Sequence, residues 1–285
     1  MNTCIRFETP DKLALQGIWL GAPKASTVYI FLHGLYSNLF SQAETAELLV
    51  APGTASLLFN NRGNGYVSKL RRRSTSKPSV AILGGSHETF TDARHDIAGA
   101  VAFAKSRGAR RIILVGHSTG CQKAIWYLAN KPDSAVQGAV LLAPLSDYAG
   151  IRNEMSARAY ATALKAVKEI AKKKPHALLP VAFSPVPCDA QRWLSLYTPE
   201  SVEEIFGYAS GAEPTTLRKA KVPLLALFAS DDQYADRPAR HIADWLAGAC
   251  PKNPIDARII AADDHGFSGK ASTVARAIRL WAQEL

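Results

Sequence analysis

The sequence predicts an α/β protein in which a mostly parallel central sheet carries helices on both faces. Three observations carry that expectation. Short β-rich runs alternate with helix-length segments over most of the 285 residues. Several runs are apolar throughout, as strands covered on both faces are. Repetition of strand, helix, strand is the pattern of such a sheet.

Residues 13–20 and then 27–32 (TVYIFL) read as the first strands, because β-branched and aromatic residues concentrate there. Residues 54–59 (TASLLF) form another, halted by the turn-rich Asn60-Asn61-Arg62-Gly63-Asn64-Gly65. Residues 111–115 (RIILV), 136–142 (VQGAVLL), 222–228 (VPLLALF) and 256–260 complete the series. Helices are expected over 88–106, with Glu88 and Asp92 as acids near the start and Gly108 after the end. Others are expected over 120–130, 236–246 and 272–285. From 147 to 214 the alternation lapses: the pattern is helical, with prolines from Pro175 to Pro187 and no convincing central strand. An excursion of this size between two strands is usually functional. The expected organisation is therefore a core of residues 1–146 and 215–285, with 147–214 as a cap over the site.

Composition narrows the classes. Apolar residues at 47% and charged residues at 20% suit a globular protein. No run approaches a membrane span, and MNTCIRFETPDK lacks a signal-peptide apolar stretch, so cytoplasmic residence is expected. Cys4, Cys121, Cys188 and Cys250 are widely spaced, which points to reduced, mostly buried thiols rather than a zinc site or disulfide framework. The net charge of +10 raises nucleic acid or a membrane surface as partners. Its local runs, Arg71-Arg72-Arg73 and Lys172-Lys173-Lys174, are short, lack interleaved aromatics and read as solvated surface. Neither partner is expected, although the charge could draw anionic substrates toward a cleft. A homodimer is compatible with the sequence.

Gly116-His117-Ser118-Thr119-Gly120 matches G-x-S-x-G between a strand and a helix, the context of a nucleophile elbow. A serine hydroxyl needs a base to attack. The chain order expected for such an elbow is Ser, then Asp or Glu, then His. Asp231-Asp232 follows one buried strand, and Asp263-Asp264-His265-Gly266-Phe267 follows the last. Ser118, Asp232 and His265 are the candidate catalytic residues. Asp231 and Asp236 stay open as alternatives for the acid or as caps of the following helix. His117 should turn its side chain away from the elbow, and His33 reads as a structural loop residue. His87, His95, His176 and His241 read as solvated. An oxyanion hole would use the N–H of Thr119 and that of Leu35, in the loop where Gly34 permits a tight turn. Tyr36, Trp193 and Tyr197 are candidate pocket residues. No metal or cofactor is expected.

Together the His33-Gly34 loop, the Asn61-to-Gly65 turn, the GHSTG elbow, the Ser-Asp-Asp turn and the Asp-His-Gly-Phe end resemble the α/β-hydrolase superfamily over most of the chain. GHSTGCQ and Gly85-Ser86-His87-Glu88-Thr89-Phe90 are similar to a branch that includes fungal siderophore esterases. Ala229 and Ala235-Asp236 depart from the common pattern around the acid. The resemblance implies that fold and a serine hydrolase acting on a small-molecule ester, lactone or thioester through an acyl-enzyme. A nucleophilic Asp, as in dehalogenases, is absent from the elbow. A non-catalytic binding protein on the same fold is the competing expectation.

Overall fold

Residues that alternate between two apolar environments build the centre of this protein, a computed structural model that describes residues 2–73, 77, 79–130, 132–184 and 186–285. In β7 (Arg111–His117), Ile112 and Leu114 face one core while Ile113 and Val115 face another. This is the period of two that a strand imposes on its side chains. The same holds for β3 (Thr27–Leu32), so the run reads as continuously apolar.

The main sheet has eight strands. Its members are β1 (Asn2–Glu8), β2 (Ala14–Leu20), β4 (Thr54–Phe59), β3, β7, β8 (Val136–Leu142), β9 (Leu224–Ala229) and β10 (Asp256–Ile260), in that spatial order. β2 runs antiparallel to both its neighbours, β1 and β4, and all pairs from β4 to β10 are parallel. One face is covered by α2 (Ala93–Ser106), α3 (Thr119–Ala129) and α7 (Ala239–Ala249). The other carries α1 (Ala43–Leu48) and α8 (Ala271–Gln283). β5 (Ser68–Arg72) and β6 (Ser79–Leu83) form a separate hairpin. Among the described residues, no helix is long and apolar enough to cross a membrane. The thiols of Cys121, Cys188 and Cys250 are buried and that of Cys4 is exposed, all of them free.

Between β8 and β9 the chain forms α4 (Asp147–Glu154), α5 (Ala157–Lys173) and α6 (Ala190–Tyr197). Ile151, Tyr160, Val167, Trp193 and Leu196 give this insertion an apolar cluster of its own.

Arg71 and Arg72 are exposed, as the solvated reading expects, on the hairpin strand β5. Two differences from the sequence expectations have physical causes. β1 buries only Ile5 and Phe7, so its pattern is that of a polar edge strand. Glu88 is not a helix-start acid: a 3₁₀ turn at Phe90–Asp92 precedes α2, and Glu88 is fully buried. Its carboxylate accepts from Lys123 Nζ at 2.8 Å and from Arg192 Nη2 at 3.0 Å. Burial pushes this carboxyl up, but Lys123 and Arg192 outweigh it and hold it below its ordinary value.

That ion pair is one part of a clamp between insertion and core. Gly85 O accepts from Arg192 Nε, Ser86 O accepts from the Asp189 N–H, and the Ser86 hydroxyl donates to Pro187 O. His87 Nδ1 lies 3.0 Å from Asp189 Oδ2, and Glu88 O accepts from Gln191 Nε2. Gly63 makes room for the buried acid, because a Cβ there would overlap the Glu88 carboxylate. Removing one partner from a buried ion pair leaves uncompensated charge, at a cost of about 3–5 kcal/mol. Glu88→Gln is therefore expected to lower the unfolding free energy by that order, read as a reduced urea midpoint.

Candidate active site

Ser118 sits where β7 ends and α3 begins, with φ +55° and ψ −128°. This is a left-handed conformation that non-glycine residues adopt at a cost of about 1–3 kcal/mol. Neighbouring hydrogen bonds hold it: the Ser118 N–H donates to Leu142 O, and Ser118 O accepts from the Cys121 N–H. The glycines of the motif are there for space. A Cβ on Gly116 would lie 2.5 Å from Gly120 O, and one on Gly120 would overlap Leu32 O. A Cβ on Gly34 would come within 2.8 Å of the Ser118 Cβ, so the Gly34 loop lies directly against the serine.

Asp232 follows β9, and His265 lies between β10 and α8. Their side chains meet, His265 Nδ1 standing 2.6 Å from Asp232 Oδ2. An ionised carboxylate only accepts, so Nδ1 carries the proton and Nε2 keeps its lone pair. Asp232 Oδ1 accepts from the Tyr234 N–H, and Gln233 Oε1 accepts from the His265 N–H. The Asp232 loop thus fixes His265 at both backbone and ring. Asp231 and Asp236 are placed elsewhere. Asp231 accepts from the Ser230 hydroxyl, Asp236 pairs with Arg237 at 2.8 Å, and neither caps α7.

The two neighbouring histidines are buried and neutral. His33 donates from Nδ1 to Gly34 O at 2.9 Å and accepts at Nε2 from the Asn61 N–H at 3.1 Å, which ties the Gly34 loop to the Asn61 turn. His117 corrects an expectation: its ring does not turn away from the site. It lines the cavity, its Nε2 donates to His265 O at 2.9 Å, and the two rings lie 5.0 Å apart. Burial, chiefly, pushes both His33 and His117 down to about 4. His87 departs from the solvated reading, being tied to Asp189.

Ser118, His117 and His265 open on a cavity of about 370 Å³. Leu35, Tyr36 and Tyr234 line it from the core side, and Asp147, Ile151, Glu154 and Tyr197 from the insertion. Tyr234 stands edge-on to the His265 ring at 5.1 Å. Trp193 does not reach the cavity. It is fully buried in the insertion's own cluster, where its indole N–H donates to Phe183 O. Leu35 borders the cavity and Thr119 opens α3 beside the serine. Neither backbone N–H has an acceptor among the described residues, and two free donors near a serine could receive an oxyanion. Among the described residues, no group of three or more His, Cys, Asp or Glu is placed to hold a metal.

Sequence reasoning missed Asp147 and Glu154. Their signal was present: Asp147, Gly150, Ile151 and Glu154 fall at i, i+3, i+4 and i+7, one face of a helix. Ser146 marks the helix start by accepting from the Ala149 N–H.

An eight-stranded, mostly parallel sheet with a serine elbow after one central strand defines the α/β-hydrolase fold, and solved structures agree. The chain is similar to the siderophore hydrolase EstB from Aspergillus fumigatus, with a TM-score of 0.72 and 18% identity over 100% of this chain and 98% of that one. It is also similar to the α/β hydrolase GrgF from Penicillium sp. sh18, with a TM-score of 0.64 and 17% identity over 98% and 97% of the two chains. The esterase Pf2001 of Pyrococcus furiosus follows, at a TM-score of 0.57 and 18% identity over 98% and 90%. By sequence, the chain belongs to the family described as "Protein of unknown function (DUF1749)", whose model matches residues 85–276. No curated protein matches it in sequence.

The depressed histidines make acid sensitivity a test of this geometry. Their unfolded value is near 6.5, so below that pH the unfolded chain takes up protons that folded His33 and His117 refuse. Stability is then expected to fall as pH drops from about 6.5 toward 4, by on the order of 3 kcal/mol for each ring. Urea midpoints between pH 7 and 4.5 should show the fall, and His117→Gln should make it shallower.

Proposed function

We propose that this chain is a serine hydrolase that cleaves a carboxylic ester, lactone or thioester through an acyl-enzyme. The observation that carries the reading is the His265 ring, held by Asp232 on one side and facing the same cavity as Ser118 on the other. Among the described residues the Ser118 hydroxyl makes no hydrogen bond, and such contacts often tighten only when substrate binds.

With substrate in place, Ser118 Oγ attacks the carbonyl carbon while Nε2 takes the hydroxyl proton. The N–H groups of Leu35 and Thr119 donate to the oxygen that gains the negative charge. The carbonyl–oxygen (or carbonyl–sulfur) bond then breaks, and the new imidazolium returns its proton to the leaving group. Water repeats the sequence with roles reversed and frees the acid. Asp232 holds the tautomer and stabilises the imidazolium. Residues 147–214 act as the cap, since α4 and α6 supply one wall of the cavity. Similarity to a siderophore hydrolase makes siderophore esters a first class to try.

Ser118→Ala is expected to abolish both hydrolysis of p-nitrophenyl esters and labelling by a fluorophosphonate probe. Asp232→Asn is expected to lower kcat by about 10⁴, because the wrong tautomer is favoured, whereas Asp231→Asn stays near the unmodified rate. Turnover that survives Ser118→Ala overturns the assignment. A folded protein inert to both reagents favours a non-catalytic binding role.

A further inference from the structure

The cavity does not share the sign of the chain. The protein carries a net charge of +10, yet among the described residues no lysine or arginine lines the cavity, and two carboxyl groups, Asp147 and Glu154, do. Both stand on the cavity-facing side of α4, seven residues and so about 10 Å apart along the helix. Glu154 is exposed, at the outer end; Asp147 is partly open, beside Leu145 and Ser146 at the inner end.

Behind this wall buried carboxyl groups outnumber the cations that reach them. Four carboxyl groups come together there, those of Glu88, Glu203, Glu204 and Asp147, against two cations, Lys123 and Arg192. Both cations are already engaged: Lys123 pairs with Glu88, and Arg192 with Glu88 and Glu203. Among the described residues Glu204 receives only hydroxyls, with Ser146 Oγ within 2.9 Å, and Asp147 receives only the Gln122 amide at 3.1 Å. The same Gln122 side chain is held by Leu145 O and leaves its own buried Oε1 without a donor among the described residues. Burial first, then Glu203 and Glu204, push the Asp147 carboxyl up to about 8. Burial likewise raises Glu204 to about 7. A positive charge arriving from the cavity would relieve this repulsion. Tyr197 lines the same wall.

We infer that the cavity takes a cationic substrate, an ester carrying an ammonium or similar group that Asp147 receives at the inner end of α4, with Glu154 guiding it at the mouth. This rests on the hydrolytic reading of the same cavity and names its substrate class. It departs from the expectation that a basic chain draws anionic substrates.

The test compares p-nitrophenyl 4-(trimethylammonio)butyrate with its neutral isostere, p-nitrophenyl 5,5-dimethylhexanoate, and with homologues of longer spacer. The ratio of their kcat/KM values cancels any general loss of activity in a variant. An advantage of about tenfold or more for the cationic ester is expected, equal to about 1.4 kcal/mol, carried mainly by KM. Asp147→Asn should bring the ratio toward one, and Glu154→Gln should reduce it less. A ratio near one in the unmodified protein, or one that Asp147→Asn leaves in place, overturns the proposal. Calorimetric binding of 4-(trimethylammonio)butyramide against 5,5-dimethylhexanamide separates the two readings, because it needs no turnover. Selective binding of the cationic amide without cleavage of either ester removes the hydrolytic reading and keeps only the recognition of a cation by this cavity. Cleavage without cation preference does the reverse.

Discussion

A single buried carboxylate, that of Glu88, determines how the parts of this protein meet. Ionised carboxylates are costly to bury unless cations reach them, and the two that do come from different elements. Lys123 belongs to α3, the helix that starts at the serine elbow, and Arg192 belongs to α6 of the insertion. Gly63, from the turn after β4, leaves the room that the acid needs. Elbow, turn and insertion are thus brought into register by one charge. Asn61, two residues before Gly63, also fastens His33 and hence the Gly34 loop against Ser118. The hydrogen bonds that shape the candidate oxyanion site and those that seat the insertion are neighbours in one polar network.

Most of the fold was legible in the sequence because its signals are local. Strand runs such as RIILV announce themselves by composition, and G-x-S-x-G between such a run and a helix has a steric logic of its own. Asp232 and His265 could be singled out because each follows a recognisable strand. What escaped depends on distant partners or on which side of a helix faces inward. Glu88 resembled a helix-start acid since Arg192, its partner, lies 104 residues away. Trp193 and Tyr197 share an amphipathic helix, yet one fills the insertion's own cluster while the other borders the cavity as well. Periodicity marks an apolar side without saying what lies against it. His117 was misjudged similarly: its orientation depends on the His265 carbonyl, 148 residues further on.

Net charge and local charge also part company. The basic residues that give the chain its sign are largely on the surface, as in Arg71, Arg72 and the end of α5. Salt screens such groups over about 10 Å. Asp147, at the buried end of the cavity wall, is screened far less, so on the proposed reading it governs recognition at contact range while the surface governs only the approach.

The clamp between residues 85–88 and the insertion has a mechanical consequence. To swing the insertion aside, the chain would have to draw Arg192 from between Glu88 and Glu203 and expose or strand three charges at once. Hinges that open readily are fastened by contacts that water can replace cheaply; these are not. On the proposed reading, the mouth of the cavity is a standing aperture that sorts a substrate by shape and charge, rather than a gate that closes behind it.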